Sequence, residues 1–512
     1  MESLQSAIEA VTTLLDPAEY TTDPDQLYVA SMDNLRYSRM PSLRIFPKDE
    51  GSIAAVMRIA NQYKVPLTVR GAGSATTGTT TPAEKGWVLD LSGWDNLHVD
   101  PVARMAFVQP GVTLGKLDEA AAEHGLAYPP DPGSKAYSTI GGTIATNAGG
   151  MRGAKYGVTR DYVISLEGFL PTGEFVRWGS NLRKFSAGFN LRDLWIGAEG
   201  SLGIITGAVL KLLPKPPAQA TCLAVFDTAH SALSCSQEIL RSGNTPSAME
   251  FLDTQTVACT FDFWKRKSPE LLEQLPECLG KWIKGGHVTR DSGLETVDNK
   301  TRASSVTSIP SVLIIEVDGR PREVEEQLTA VLSCVETFTS DFATAIDEQT
   351  VELLWKLRRS CSQAMFQLGP RKLNEDVVVP FDSQMALLEF VEELNADTGL
   401  PTPTFGHAAD GNFHVHVMYD ADDPHVSRTA EHAIKRLMEK VIELGGAISG
   451  EHGIGLAKSP FFELQHSESE IQAMRAIKAT LDPNNILNPG KLWEPSEPWS
   501  FPREDVRMPW DH

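Results

Sequence analysis

Apolar and polar positions alternate most strictly at Phe413, His414, Val415, His416 and Val417. A strand there sends Phe413, Val415 and Val417 to one face and both imidazoles to the other. His407 lies upstream across Asp410, Gly411 and Asn412, a turn-forming cluster that can fold it back toward His414. Helical spacing is expected over 50–63, 228–242, 323–337, 353–366, 383–398, 425–444 and 468–481, and β-rich runs over 43–47, 66–70 and 311–317. The rhythm is α+β or α/β over 42–110, and a second α+β domain runs from near 220 to 448. The polar stretch 285–308 lacks periodicity and is expected to be a long loop, and the Pro- and Trp-rich tail from Glu494 is expected to lie against the surface.

Small residues concentrate in three runs: Gly71-Ala72-Gly73-Ser74, the stretch 140–150 and the stretch 197–203. Glycine permits φ > 0 and lets a ligand approach the main chain, so three such loops point to a large ligand cradled by backbone N–H groups. One of them alone would be an ordinary tight turn. They do not spell a nicotinamide site, because Thr76 stands where the third glycine of G-x-G-x-x-G belongs. Pro214, Pro216 and Pro217 cannot continue a central strand or helix and mark a domain boundary near 215.

With 512 residues the chain exceeds one ordinary core, which predicts two or three domains. A hydrophobic content of 41% without a bilayer-length apolar run describes a soluble protein rather than an integral membrane protein. The first residues, Met1-Glu2-Ser3-Leu4-Gln5, have neither signal nor transit character, so a cytoplasmic location is expected. Six scattered cysteines with no C-x-x-C pair argue against a disulfide framework, a Cys-ligated zinc or an iron–sulfur cluster. A net charge of -21 excludes a nucleic-acid partner, whose phosphates need a basic surface.

A carboxylate between glycines, in Gly450-Glu451-His452-Gly453, can complete a His407, His414, Glu451 set. That combination suits a catalytic divalent ion with an open coordination position, and the His452 imidazole beside it can act as a base. Any one histidine is more often structural; the combination points to a metal. Arg358 and Ser362 are four apart on one helical face, so both can point into one site, and the Arg fork suits a carboxylate. The alternative for Arg358 is a surface helix charge paired with Glu352 or Asp376.

In order and spacing, the segments Val69-Arg70-Gly71-Ala72-Gly73, Pro129-Pro130-Asp131-Pro132-Gly133-Ser134, 141–150, 197–206, 406–414, 449–455 and 481–491 carry a resemblance. The chain resembles the flavin-dependent 2-hydroxy-acid dehydrogenases of the vanillyl-alcohol-oxidase type, similar to the glycolate oxidase flavin subunit, FAD-linked D-lactate dehydrogenase and D-2-hydroxyglutarate dehydrogenase. The resemblance implies an α+β fold with three parts. A PCMH-type FAD-binding domain of two α+β subdomains would occupy 1–215, an α+β substrate or cap domain with an antiparallel sheet 216–448, and a segment returning to the FAD domain 449–512. Arg70, Gly71, Ala72, Gly73 and Ser74 would line the pyrophosphate; Pro130, Ser134, Gly141, Gly142, Thr146, Asn147 and Asn488 would flank the cofactor; Gly200, Gly203 and Ile205 would approach it through backbone. Relatives that bond FAD covalently through the first loop use a histidine there, and Ser74 implies dissociable, non-covalent FAD.

The activity implied is oxidation of a D-2-hydroxy acid to the 2-oxo acid, with the Cα hydrogen passing to FAD as hydride. A divalent metal, zinc first with manganese or iron as alternatives, on His407, His414 and Glu451 would lower the hydroxyl pKa, and His452 would take the proton. Arg358 would clamp the substrate carboxylate, with Ser362 and His416 beside it; the competing assignment makes His452 a fourth ligand and His416 the base. Two departures bear on substrate. Hydroxyglutarate-type relatives have a lysine where Asn374 stands, and an asparagine where His416 stands. Both favour a small monocarboxylate of the lactate or glycolate class over a dicarboxylate, although Arg371 or Lys372 can still supply a cation. Electrons would leave to an external acceptor (a quinone, a cytochrome or an electron-transfer protein), which can hold the enzyme at the membrane periphery, and a homodimer is one assembly open to it. Two other readings are the flavin subunit of a larger electron-transfer complex and a transferase like alkylglycerone-phosphate synthase, whose tandem-histidine site is not found here.

Overall fold

The computed structural model describes residues 2–284 and 309–496. The loop expected over 285–308 and the tail beyond 496 lie outside the described residues. The described chain falls into two compact units, one drawn from Met1–Gly150, Gly157–Lys215 and Ser449–His512, the other from Met151–Tyr156 and Pro216–Ile448.

Two apolar cores build the first unit. In one, the strands Leu43–Ile45, Trp87–Asp90 and Leu67–Arg70 lie parallel in that order, with Tyr20–Thr21 antiparallel at the edge. Parallel neighbours need a crossover, and the helix Glu50–Tyr63 supplies it. Its buried Ile53, Val56, Met57 and Ala60 follow helical spacing and pack on Leu43, Leu67 and Trp87. Asp49 starts this helix by accepting the Ser52 N–H at 2.9 Å. The other core sits on an antiparallel sheet ordered Leu97–Asp100, Met105–Val108, Ile204–Lys211, Val163–Phe169, Phe175–Gly179.

The middle glycine run, expected as a loop, is instead the short helix Ile140–Thr146. Thr139 caps it through the Gly142 N–H, and Ile140 and Ile144 bury on the second core, so apolar spacing outweighs the cost of its glycines. Asn147 ends it in the left-handed region at φ 52°.

The second unit is a seven-stranded antiparallel sheet. Its order is Phe342–Ala345, Ala218–Phe226, Ser311–Gly319, Ala248–Leu252, Thr404–His407, Asn412–Tyr419, Arg371–Val378. Leu223, Leu252, Ile314, Phe405 and Met418 pack with Val257, Phe261 and Trp264 of the helix Thr254–Lys267 and with Leu354 and Leu357 of the helix Glu348–Ala364. Residues 151–156, expected within the first domain, belong to this unit for an electrostatic reason. Arg152 reaches Glu316 at 2.6 Å, and Lys155 and the Tyr156 hydroxyl reach Asp318 at 2.5 and 2.8 Å. Each of these acids is buried, so removing its partner would leave an uncompensated charge.

Candidate functional site

In the second unit the hairpin of Thr404–His407 and Asn412–Tyr419 sets the register. Phe405 faces His414 and His407 faces Asn412 across the pair, and on the other side Asp376 faces His414 and Asn374 faces His416. Directly opposed residues share a sheet face, so both imidazoles of the alternating run stand with His407, Asp376 and Asn374. Gly411 makes the turn at φ 78°; a Cβ there would stand 2.2 Å from the Val379 carbonyl oxygen. The His407 and His414 rings meet edge to face, with centroids 5.4 Å apart.

The acids of this face are paired. His407 Nδ1 lies 2.5 Å from Glu250 Oε1, and Arg358 Nε donates to Glu250 Oε2 at 2.5 Å. Burial alone would raise the Glu250 carboxyl, but Arg358 and His407 outweigh it and hold the group below the usual carboxylate value. The Arg358 guanidinium also lies 4.1 Å over the Phe405 ring, whose other neighbours are His414 and His416. Arg358 is thus buried and paired with Glu250, not with Glu352 or Asp376: Arg359 takes Glu352, and Asn412 Nδ2 donates to Asp376 at 2.6 Å. His416 Nδ1 faces the Pro403 carbonyl oxygen at 3.2 Å, which puts its proton on Nδ1. Ser362 Oγ accepts from Lys372 Nζ at 2.7 Å. Asn374 Oδ1 is buried and has no hydrogen-bond partner among the described residues.

In the first unit, His452 and Glu451 sit on a segment gripped through its backbone. Thr77 Oγ1 donates to the His452 carbonyl at 3.2 Å, and the Ile454 and Gly455 N–H groups donate to Glu199 Oε1 and Oε2 at 2.6 and 2.9 Å. His452 Nε2 stands 3.6 Å from Glu451 Oε1. Burial raises the Glu199 carboxyl, partly offset by those two amides.

The glycine-rich segments of this unit divide into two kinds. A Cβ at Gly71, Gly73, Gly141 or Gly203 would strike Thr139, Arg70, Pro110 or Trp195 within 2.6 Å, so these glycines answer to packing within the protein. Gly200, at φ 69°, has nothing within 4 Å of that position. The Ser74, Ser138 and Ser134 hydroxyls form a chain at 3.1 and 2.5 Å. Arg70 is buried and donates to the Met32 carbonyl at 2.7 Å. Asn488, expected beside the cofactor, stands at φ 47°, and its amide accepts from Thr68 and donates to the Thr79 and Glu199 carbonyls.

Sequence reasoning missed Glu250 and Glu199. A lone acid inside the apolar run Ala248-Met249-Glu250-Phe251-Leu252 was a legible signal, since a buried carboxylate demands a partner. Glu199 had none beyond its place between Ala198 and Gly200.

Residues 215–492 match the model for FAD linked oxidases, C-terminal domain, and residues 41–179 that for an FAD binding domain. The chain is 36% identical over 460 residues to the glycolate oxidase subunit GlcD of Bacillus subtilis (strain 168), covering 90% of each. It is 31% identical over 457 residues to a D-lactate dehydrogenase of Anaerostipes hadrus, covering 88% of this chain and 89% of that one. Among solved structures, p-cresol methylhydroxylase with substrate bound superposes with a TM-score of 0.75 at 17% identity, over 97% of this chain and 98% of that one; at that identity the likeness concerns the fold.

Proposed function

Because the chain belongs to the FAD-linked oxidases, we propose that it oxidises a D-2-hydroxy acid of the lactate or glycolate class to the 2-oxo acid. It does so with dissociable FAD and with a divalent ion, zinc first, on His407, His414 and Glu451. The observation that carries the metal reading is the His407 imidazole: with Nδ1 against Glu250, the nitrogen left to ligate is Nε2, and a carboxylate behind a ligating histidine fixes its orientation and raises its basicity. Two imidazoles and a carboxylate are a donor set that fits such an ion. FAD fits the first unit through the open approach at Gly200 and the serine hydroxyl chain.

FAD, when bound, supplies a two-electron acceptor for the Cα hydrogen; the ion, when bound, supplies a Lewis acid for the hydroxyl oxygen. The chain's own residues do the rest. His452 takes the hydroxyl proton, and an imidazole has a suitable pKa for that near neutrality. Arg358 keeps its Nε on Glu250 and offers its terminal N–H groups to the substrate carboxylate, with a plane fixed by Phe405. His416 offers Nε2, because its other nitrogen serves Pro403. Electrons leave to an external quinone, cytochrome or electron-transfer protein; among the described residues no helix is long and apolar enough to cross a membrane.

The dicarboxylate reading keeps one supporting observation: Lys372 faces Met418, on the same sheet face as His416. An anaerobic panel decides. D-lactate or glycolate should bleach the yellow protein, with dye-coupled turnover stimulated by added zinc. Flavin left oxidised by every 2-hydroxy acid tested would reject the reading.

A further inference from the structure

We propose that Glu199 is a positioning residue: its carboxylate shapes the 449–455 segment and ties the Ile454 and Gly455 backbone, just past His452, to the glycine run at 197–203. The functional part of this rests on reading His452 as the proton acceptor.

The 449–455 segment contains Gly450, Gly453 and Gly455, so by itself it is a poor platform for an acid–base group. Beyond the Ser449 hydroxyl on the Gly453 carbonyl at 3.0 Å, Glu199 and Thr77 hold it from outside. One carboxylate receives two successive amides, Ile454 on Oε1 and Gly455 on Oε2, a pair of charge-assisted bonds that sets both peptide planes. Thr77 holds the flanks: its hydroxyl donates to the His452 carbonyl, and its carbonyl accepts the Leu456 and Ala457 N–H groups at 2.7 and 3.0 Å. A Cβ on Gly453 would stand 2.7 Å from Glu199 Oε1, so the carboxylate abuts the turn itself.

Glu199 is in turn fixed at every polar point. Its N–H donates to the Ala145 carbonyl at 2.8 Å, and its own carbonyl accepts from Asn488 at 2.7 Å. Its backbone is left-handed at φ 51°, a conformation that is strained for most side-chain-bearing residues and that Gly or Asn adopts more readily. A glutamate kept there, and buried, is explained by what its carboxylate holds. Glutamine offers one acceptor and one donor, so one amide would lose its partner; aspartate is one methylene too short to span both.

Hydrogen–deuterium exchange on the full-length, FAD-loaded protein tests the hold directly. The Ile454 and Gly455 amides should exchange at least about tenfold faster in Glu199→Gln and Glu199→Ala than in the parent. Anaerobic reduction of the flavin by D-lactate should slow by about tenfold or more in Glu199→Gln, with KM nearly unchanged, while the flavin spectrum and dithionite reduction stay as they were. Unchanged exchange in Glu199→Gln, or faster exchange with an unchanged rate of flavin reduction, would overturn the proposal. Should no 2-hydroxy acid reduce even the parent flavin, the functional reading falls and the exchange comparison alone decides what Glu199 holds. Should Glu199→Ala fail to fold, Glu199→Gln carries both arms.

Discussion

The second unit carries its candidate residues as side chains on a sheet, and the first unit carries Glu451 and His452 on a glycine-rich segment held through its backbone. On the sheet face, Glu250 is shared by Arg358 and His407, Asp376 by Asn412, and Glu316 by Arg152 and the Trp355 indole. The ladder orients the Glu250–His407 and Asp376–Asn412 pairs, which lie on adjacent strands, while Arg358 and Trp355 reach in from the helix Glu348–Ala364 and Arg152 from residues 151–156. The glycine-rich segments have no such ladder, so buried polar side chains pin them. Asn488 joins Thr68, Thr79 and Glu199; Lys478 donates to the Ser201 and Leu487 carbonyls at 2.7 and 2.8 Å and to Asp482 at 2.5 Å. Buried polar side chains thus pair with one another on the sheet face and grip backbone on the glycine-rich segments.

That division predicts different losses. Replacing His407 with Ala should strip the divalent ion and lower turnover by about a thousandfold or more, as should a chelator. His452→Ala should keep ion and FAD and lose about a hundredfold, the scale of a positioned acid–base group. Elemental analysis beside steady-state rates reads both. If His452→Ala loses the ion while His416→Ala keeps it and cannot reduce the flavin, the two histidines exchange roles.

The same contrast explains what was legible in the sequence. Strand alternation at 413–417 and the turn at Asp410 to Asn412 are local, so the hairpin and the shared face of His414 and His416 followed from spacing alone. Helices such as Glu50–Tyr63 and Glu468–Leu481 were equally local, fixed by apolar period and by Asp49 or Ser467 at the cap. The partners of those residues were not, because Glu250 lies 157 positions from His407 and Glu199 lies 255 from Ile454. Glycine runs were read as ligand loops because glycine signals close approach without saying to what: at Gly203 the approach is to Trp195, and at Gly141 to Pro110.

A smaller effect is expected at the two departures from the hydroxyglutarate pattern, Asn374 and His416, which the register makes direct cross-strand neighbours. No cation stands at either position, and the adjacent Lys372 ammonium is engaged by Ser362. A second carboxylate there would be desolvated without a counter-charge. D-lactate or glycolate should therefore have the higher kcat/KM, and Asn374→Lys should move the ratio toward D-2-hydroxyglutarate by about tenfold. A parent enzyme that already prefers the dicarboxylate would contradict this and assign the cation to Lys372 or Arg371.

The last expected effect is on stability, and it has opposite signs at two buried acids, Glu250 of the second unit and Asp33 of the first. Glu250 is held below its ordinary value, so its contribution is present above that value and lost as pH falls. Asp33 in the first unit is buried with only backbone donors, the Leu35 and Thr80 N–H groups at 3.0 and 3.3 Å, on its carboxylate. Burial pushes its pKa up to about 6, against those amides and the more distant Arg70 and Lys491. The folded protein therefore holds this proton more tightly than the unfolded chain. Its contribution is full below the ordinary carboxylate value and is lost as pH rises through about 6. Lys491, lowered by burial to about 7 against Asp33 and Glu199, gives the reverse slope at higher pH. Denaturant melts from pH 4 to 7 should show Asp33→Asn flattening the acid limb by up to about 3 kcal/mol, the worth of roughly two pKa units. A limb between pH 4 and 6 that is the same in parent and variant would show that the Asp33 carboxyl titrates alike in the folded and unfolded chain, and would remove this difference between the two acids.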